Sequence, residues 1–353
     1  MDRLVDWFGQ ERLQSDMQRV RRFWAGEGRH IVSINTTRHG YRQIFDDAKM
    51  AELAVRNLQE QASLPGVNLP AVFADYGTIS TARYWGGEVH GGTSEVNIYI
   101  NPAAQTLDEA LALNPRPVDD AAMDAARGVG LFHRVREALR TEHLWLRTPD
   151  MQGTLNTAGL VMNQQELMMA MYTEPQKVHA LLEKVGAFLV DYARYLRRQT
   201  GGRICGNIWP YTFFPADIGV SLTEDLMPLL SAEQYKEFGI PTLRQLQQAL
   251  GALHIHCCGD WGRHAANLAA SGLDIRCAEF HHPAVRIEEL EPLADTTVLV
   301  PYIILHKQDR FRSNVEYYRY LLSEHGWRFR FWFALCEDSP ETREFAQQVG
   351  GGE

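Results

Sequence analysis

Short apolar segments alternate along the chain with longer segments in which apolar residues recur at helical spacing. Eight apolar segments are predicted as strands: His30 to Asn35, Ala71 to Asp75, Leu144 to Thr148, Ile204 to Ile208, Leu253 to Cys257, Ile275 to Phe280, Thr297 to Ile304 and Arg328 to Leu335. Helices are predicted at Ala48 to Ser63, Gln164 to Arg198, Ala232 to Leu250, Trp261 to Ala270, Arg286 to Leu293, Val315 to His325 and Thr342 to Val349. Because each strand is too apolar to have a solvated face, the alternation predicts an α/β fold, a single (β/α)8 TIM barrel.

Two segments depart from this alternation. Residues 1–27 are predicted as an N-terminal helical extension, and Glu95 to Pro102 alternates with period two, as a small β excursion would. No internal repeat, low-complexity tract or linker divides the chain. We therefore expect one domain over residues 1–353.

Composition and charge narrow the class of partner. Apolar residues make up 45% of the chain and charged residues 22%, which is typical of a globular protein. The 35 basic residues are scattered and outnumbered by 44 acidic ones, which argues against nucleic acid and favours a small molecule. No apolar run is long enough to cross a bilayer, and the N-terminus lacks the pattern of a secretory signal, so we expect a cytoplasmic protein with no membrane partner.

Reactive side chains cluster at the carboxyl ends of the predicted strands, where barrels of this class place their active sites. Side chains alternate along a strand, so His256 and Cys258 share one face, with His254 one layer deeper and Cys257 on the opposite face. Zinc accepts nitrogen and sulfur ligands and commonly has three protein ligands in a catalytic site. Cys336 could supply the third ligand, although a buried histidine and cysteine packed in the core would give the same pattern.

Several motifs together resemble the uroporphyrinogen decarboxylase superfamily. They are His256-x-Cys258-Gly259, Glu279, Cys336 followed by Glu337-Asp338-Ser339-Pro340, Asp150-Met151-Gln152-Gly153 with Glu174-Pro175 downstream, and Leu230-Ser231-x-x-x-Tyr235. Within the superfamily they are most similar to the zinc-dependent methylcobalamin:coenzyme M methyltransferases. The resemblance covers most residues from about Leu144 to Phe345, and His256-x-Cys258-Gly259 with Cys336 is its specific part.

The resemblance implies that His256, Cys258 and Cys336 bind zinc, and that Glu279 completes the shell until a substrate thiol replaces it. It also implies a methyltransferase that moves a methyl group between a corrinoid and a small thiol or similar acceptor. The chain has no D-x-H-x-x-G corrinoid motif, so the corrinoid would be carried by a separate protein. Whether the chain forms a homodimer is left open.

The N-terminal part departs from the decarboxylase branch of the superfamily. Where that branch has a basic R-x-x-G-R segment, residues 31–41 offer only Arg38 and Gly40, so uroporphyrinogen is not the expected substrate. Asp75 does fall where that branch keeps its catalytic aspartate. Two alternatives therefore stay open: a metal-free decarboxylase that uses Asp75, and a non-catalytic barrel that binds a tetrapyrrole or corrinoid.

Further residues are candidates for substrate binding. Trp209 and Tyr211 could line a pocket together with Phe213 and Phe214, or they could be core residues. Asp150, Tyr76, His306 and Asp338 are candidates of the same kind. Neighbouring histidines point to opposite faces of a strand, so at most one of His281 and His282 can face the site, and an outer or surface position is favoured for both.

Overall fold

The structure is a computed structural model that describes residues 1–36, 46–74, 76–91, 98–206, 209–305 and 310–350. Eleven strands lie in these ranges: β1 His30–Ile34, β2 Ala71–Phe73, β3 Glu88–His90, β4 Tyr99–Asn101, β5 Trp145–Arg147, β6 Ile204–Cys205, β7 Gly219–Thr223, β8 Ala252–His256, β9 Ile275–His282, β10 Val298–Ile303 and β11 Arg330–Leu335. One parallel sheet has the order β1-β11-β10-β9-β8-β7, and a second has the order β2-β5-β6. The predicted α/β fold with parallel strands is confirmed.

The predicted strands correspond to β1, β2, β5, β6 and β8 to β11, but β7 was not predicted. Its five residues, Gly219–Thr223, pair in parallel with β8. The period-two sequence Val220-Ser221-Leu222-Thr223 was the signal for it. In the predicted β excursion, β4 pairs antiparallel with β3, while residues 92–97 are outside the described ranges.

Thirteen α-helices are described: α1 Arg3–Phe8, α2 Gln10–Trp24, α3 Asp47–Gln61, α4 Leu107–Ala112, α5 Asp124–Leu139, α6 Thr154–Val161, α7 Gln164–Thr173, α8 Pro175–Gln199, α9 Ala232–Gln234, α10 Ile240–Leu250, α11 Ala265–Ala270, α12 Asn314–His325 and α13 Pro340–Gly350. Single 3-10 turns occupy Ala82–Trp85, Met227–Leu229 and Gly262–His264, and a π-helical turn, Tyr235–Gly239, joins α9 to α10.

Three helix predictions need correction. The N-terminal extension is two helices, because Gly9 adopts a φ of 80° between them. The segment predicted as one helix from Gln164 to Arg198 is also two helices, and α8 begins at Pro175, whose missing N–H suits a first helical position. The segment Ile287–Leu293 is a 3-10 helix rather than an α-helix, and it contains Pro292.

Helices α4, α5 and α6 were missed by the sequence analysis. The apolar face of α5, which includes Phe132 and Leu139, is fully buried, so tertiary packing stabilises this helix more than its local sequence does. None of the helices in the described ranges combines the length and apolar character needed to span a bilayer.

Candidate metal centre

The candidate site is built by two neighbouring strands, β8 and β9. Their register shifts by one residue between Leu253 and His254, after which His254 pairs with Cys277 and Ile255 with Ala278. Such a bulge changes which side chains face each other across the pair. It brings the next residue of β8, His256, beside Glu279 of β9. His254 lies one layer deeper, as predicted: it is buried, its Nδ1 is 3.0 Å from the Ser221 hydroxyl, and burial lowers its pKa to about 3.

Three metal-ligating side chains converge at this strand end. The Nε2 atom of His256 lies 3.0 Å from the sulfur of Cys258. One donor atom each of His256, Cys258 and His281 lies within 4.8 Å of the other two. His256 and His281 are buried, whereas Cys258 is exposed, so the group opens to solvent on the cysteine side. The predicted pairing of His256 with Cys258 on one face is therefore present in the structure.

Glu279 lies behind the two imidazoles. One carboxylate oxygen is 2.6 Å from Nδ1 of His256 and the other is 2.6 Å from Nε2 of His281. Burial favours the neutral acid, but the two histidine charges outweigh it and hold the pKa of Glu279 below its usual range. Burial likewise opposes charge on His256, and the Glu279 carboxylate outweighs it, so that the pKa of His256 lies well above its usual range.

The donor group keeps a buried ring nitrogen that a cation could satisfy. Nδ1 of His281 is buried without a hydrogen bond among the described residues, whereas Nε2 of His281 and Nδ1 of His256 face the Glu279 carboxylate. Nitrogen and sulfur are the ligands that zinc prefers, and tetrahedral zinc ligands of these types lie roughly 3.3 to 3.8 Å apart. Nε2 of His256 and the Cys258 sulfur are slightly closer than this, at 3.0 Å, and His281 has a ring nitrogen within 4.8 Å of both side chains' donor atoms. The residues present therefore fit a zinc ion.

Cys336, the third predicted ligand, is not in that group. It follows the last residue of β11 and is half-buried, with its sulfur 4.0 Å from the carbonyl oxygen of Pro210. Burial raises the pKa of the Cys336 thiol, and Glu337 raises it further. Tyr302 neighbours both the donor group and Cys336. Its ring lies 5.2 Å from the His281 ring, and burial and the nearby Cys336 raise its pKa.

The other three cysteines are buried and are not part of the donor group. Cys257 is fully buried in the main hydrophobic core, on the face opposite to Cys258, as the alternation predicts. Cys205 and Cys277 belong to a second buried cluster. Burial raises the pKa of all three thiols, to about 11 for Cys205. Their side chains therefore behave as packing residues rather than as ligands.

The substrate-binding candidates lie in different surroundings. Trp209 is half-buried, with its ring 5.8 Å from Tyr302 and 5.0 Å from Tyr211, so these rings extend from His281 across the strand ends. Tyr211 itself is buried. Asp150 is half-buried and accepts a hydrogen bond of 2.9 Å from Gln152. Tyr76 is fully buried, with the Arg127 guanidinium 4.6 Å from its ring centre, so it is a core residue in this structure.

Some predicted residues have no structural test. Asp75, His306, Arg38 and Gly40 lie outside the described residues. Asp338 pairs with Arg343 at 2.6 Å, which is a surface contact next to α13. These assignments stay predictions.

The two adjacent histidines diverge, as expected. His281 is buried against Glu279, and His282 stacks on Tyr317 with ring centres 4.8 Å apart. His281 is itself a member of the donor group and is buried, so the outer or surface position favoured for it from the sequence was wrong. The sequence analysis also missed Glu224 and Asp225, which follow the unpredicted β7; only the recognition of that strand could have indicated them.

Comparison with known proteins adds a partial sequence match and a fold match. The chain is 28% identical over 127 residues to the methylated-thiol–coenzyme M methyltransferase of Methanosarcina mazei, a segment that covers 36% of this chain and 31% of that protein. A solved methyltransferase from Methanosarcina mazei matches with a TM-score of 0.65 and 13% identity, covering 96% of this chain and 97% of that one. A looser match, with a TM-score of 0.48, is to a protein described as a vitamin-B12-independent methionine synthase from Listeria monocytogenes.

The chain spans about a third of the length of the curated methyltransferase it matches. No protein-family model matches it. The chain is thus similar to methyltransferases in part of its sequence and over nearly all of its fold.

Proposed function

We propose that this protein is a zinc-dependent methyltransferase of the uroporphyrinogen decarboxylase superfamily, a single domain of TIM-barrel type built on its two parallel sheets. It would move a methyl group from a corrinoid on a separate protein to a small thiol or similar acceptor. The observation that carries the proposal is the His256–Cys258 pair, 3.0 Å apart and supported by buried Glu279. The methyltransferase similarity in sequence and fold points the same way.

His256, Cys258 and a third ligand would hold the metal. The resemblance implies that Cys336 is the third ligand. In the structure, the residue grouped with His256 and Cys258 is His281. When bound, zinc would supply a positive charge that keeps a substrate thiol deprotonated near neutral pH. In the overall reaction a carbon–sulfur bond forms and the cobalt–carbon bond breaks, cobalt keeps the electron pair, and the thiol proton is released.

Glu279 has a definite part in this scheme. By contacting Nδ1 of His256 it directs Nε2 toward Cys258, which is how a carboxylate fixes the tautomer of a metal-binding histidine. Both of its oxygens face imidazoles, so in this geometry the carboxylate orients two histidines. Because Cys258 is the exposed member of the donor group, a thiol would approach the group from the cysteine side.

The test is zinc content and zinc-edge spectroscopy on purified protein, with methyl transfer from methylcobalamin to a thiol as the activity. We expect one zinc per chain, loss of zinc and activity in Cys258→Ser and in Cys336→Ala, and an added sulfur ligand when thiol is present. Cys205→Ala is the matched control, because that thiol is buried in the second cluster, outside the donor group, and should be dispensable. A full zinc complement in Cys258→Ser would refute the site.

A first shell that gains no sulfur from added thiol would refute thiol activation. If Cys336→Ala retains zinc and His281→Asn loses it, the third ligand is His281 rather than Cys336. Glu279→Gln should still bind zinc, since an amide oxygen can still contact the His256 ring.

A further inference from the structure

The segment that follows β7 contacts the backbone of two proposed ligands, His256 at the end of β8 and Cys258 just beyond it. The N–H of Glu224 donates to the carbonyl oxygen of His256 at 2.8 Å. The N–H of Cys258 donates to a carboxylate oxygen of Asp225, also at 2.8 Å. Two adjacent residues of one segment therefore hold the two ends of the His256-Cys257-Cys258 tripeptide.

The other side of this segment is fixed by the Asp150-x-x-Gly153 turn that the sequence analysis singled out. The N–H of Thr223 donates to Met151, and the N–H of Gly153 donates back to Thr223 at 2.8 Å. Gly153 also has no room for a side chain, because a β-carbon there would lie 1.8 Å from a carboxyl oxygen of Glu224. The turn, the segment after β7 and the proposed ligands are thus one connected unit.

We propose that Asp225 is a positioning residue that sets the place of Cys258 through its backbone N–H. The inference rests on the proposed function, since it concerns a ligand of the proposed zinc site. Cys258 lies two residues beyond the end of β8, where strand pairing no longer holds the chain, and it is exposed. A carboxylate is a strong acceptor for a backbone N–H. Asp225 therefore holds the backbone of Cys258 at a point where hydrogen bonds between strands no longer do so.

The first test needs no metal and no activity. In metal-free protein carrying ¹⁵N-labelled cysteine, fast-exchange NMR reports the exchange rate of the Cys258 amide. Asp225→Ala should raise that rate by roughly tenfold, the loss expected for one charge-assisted hydrogen bond. Asp225→Asn keeps an oxygen acceptor and should restore most of the protection.

Asp260→Ala is the matched control. Asp260 is an exposed acid two residues from Cys258 on the other side, and no hydrogen bond joins it to that N–H. Its loss should leave the exchange rate within about twofold. Unchanged exchange in Asp225→Ala, or equal acceleration in Asp260→Ala, would overturn the proposal, because the effect would then be absent or due to charge alone.

The second test measures zinc affinity by chelator competition. Asp225→Ala should weaken binding by about tenfold, as the loss of an outer partner of a metal ligand commonly does, and Asp225→Asn should recover most of it. Wild-type affinity in Asp225→Ala would overturn the link to the ligand. If the wild type binds no zinc, the proposed function fails, but the amide-exchange result still decides whether Asp225 positions Cys258.

Discussion

Glu279, within β9, and Glu224, directly after β7, are both fully buried carboxyl groups on either side of β8, yet they differ in charge. Glu279 on β9 contacts two imidazoles, which hold its pKa below the usual range despite burial. Glu224 after β7 has no hydrogen-bond partner for either oxygen among the described residues, and burial with nearby Asp225 raises its pKa to about 8. Partners rather than burial therefore decide which acid is ionised at neutral pH.

The surroundings of the two carboxyl groups differ accordingly. The β9 side holds a carboxylate and aligned nitrogen donors around an exposed thiol. The β7 side holds a neutral carboxyl group pressed against Gly153. Glutamate thus forms ion pairs with two histidines on β9, whereas after β7 it packs as a neutral group.

Neutralising each carboxyl group in turn gives the largest expected contrast. Glu279→Gln should lower the free energy of unfolding of the metal-free protein at pH 7 by about 3 kcal/mol, because it leaves buried imidazoles without their counter-charge. Glu224→Gln should instead raise it by up to a few kcal/mol, since an amide resembles the protonated acid and does not have to hold a proton at this pH. Urea unfolding measures both, and equal losses would contradict the assignment of charge.

Ionisation of Glu224 should make the protein less stable as the pH rises toward 8. The pKa of this group lies at about 8 in the folded protein against 4.5 for its ordinary value. The folded chain therefore binds more protons between these values, so the contribution of Glu224 is complete below about pH 4.5 and is lost as the pH rises toward 8. Relative to Glu224→Gln, the wild type should lose up to a few kcal/mol across that window in urea titrations. Parallel pH profiles for the two proteins would show that Glu224 ionises normally.

A methyl group placed against Glu224 should strain the β7 side alone. Gly153→Ala should cost roughly 1–3 kcal/mol of stability, because the added carbon overlaps the Glu224 carboxyl group. Gly130→Ala is the control: it lies within helix α5 with open space around it and should stabilise by up to about 1 kcal/mol. Thermal unfolding distinguishes the two variants. Similar changes in their melting temperatures would indicate that the segment after β7 moves aside at little cost in free energy.

The smallest effect concerns the two neighbouring histidines of β9. His281→Asn should weaken zinc binding by about tenfold, whereas His282→Asn should change it little, because only His281 contacts Glu279. Chelator competition provides the measurement. A larger loss in His282→Asn would mean that β9 presents its opposite face to the metal.

Much of the fold and part of the site could be predicted because their signals are local. Apolar strand segments that alternate with helical periodicity indicated the parallel α/β fold, and side-chain alternation placed His256 and Cys258 together while turning Cys257 into the core. Strand β7 was missed, and the continuous pattern from Gln164 to Arg198 concealed the break before Pro175. Local patterns specify element type better than element boundaries.

Sequence by itself determined which residues could share a face, since the period of a strand is fixed by backbone geometry. Tertiary structure decided which strands are neighbours and in what register. The one-residue shift between β8 and β9 brings Glu279 to His256, and the pairing of β7 with β8 brings Asp225 to Cys258. Register depends on the whole pattern of strand pairing, and a single-residue slip would turn a side chain to the other face. For the same reason the opposite charge states of Glu279 and Glu224 arise only in the folded chain.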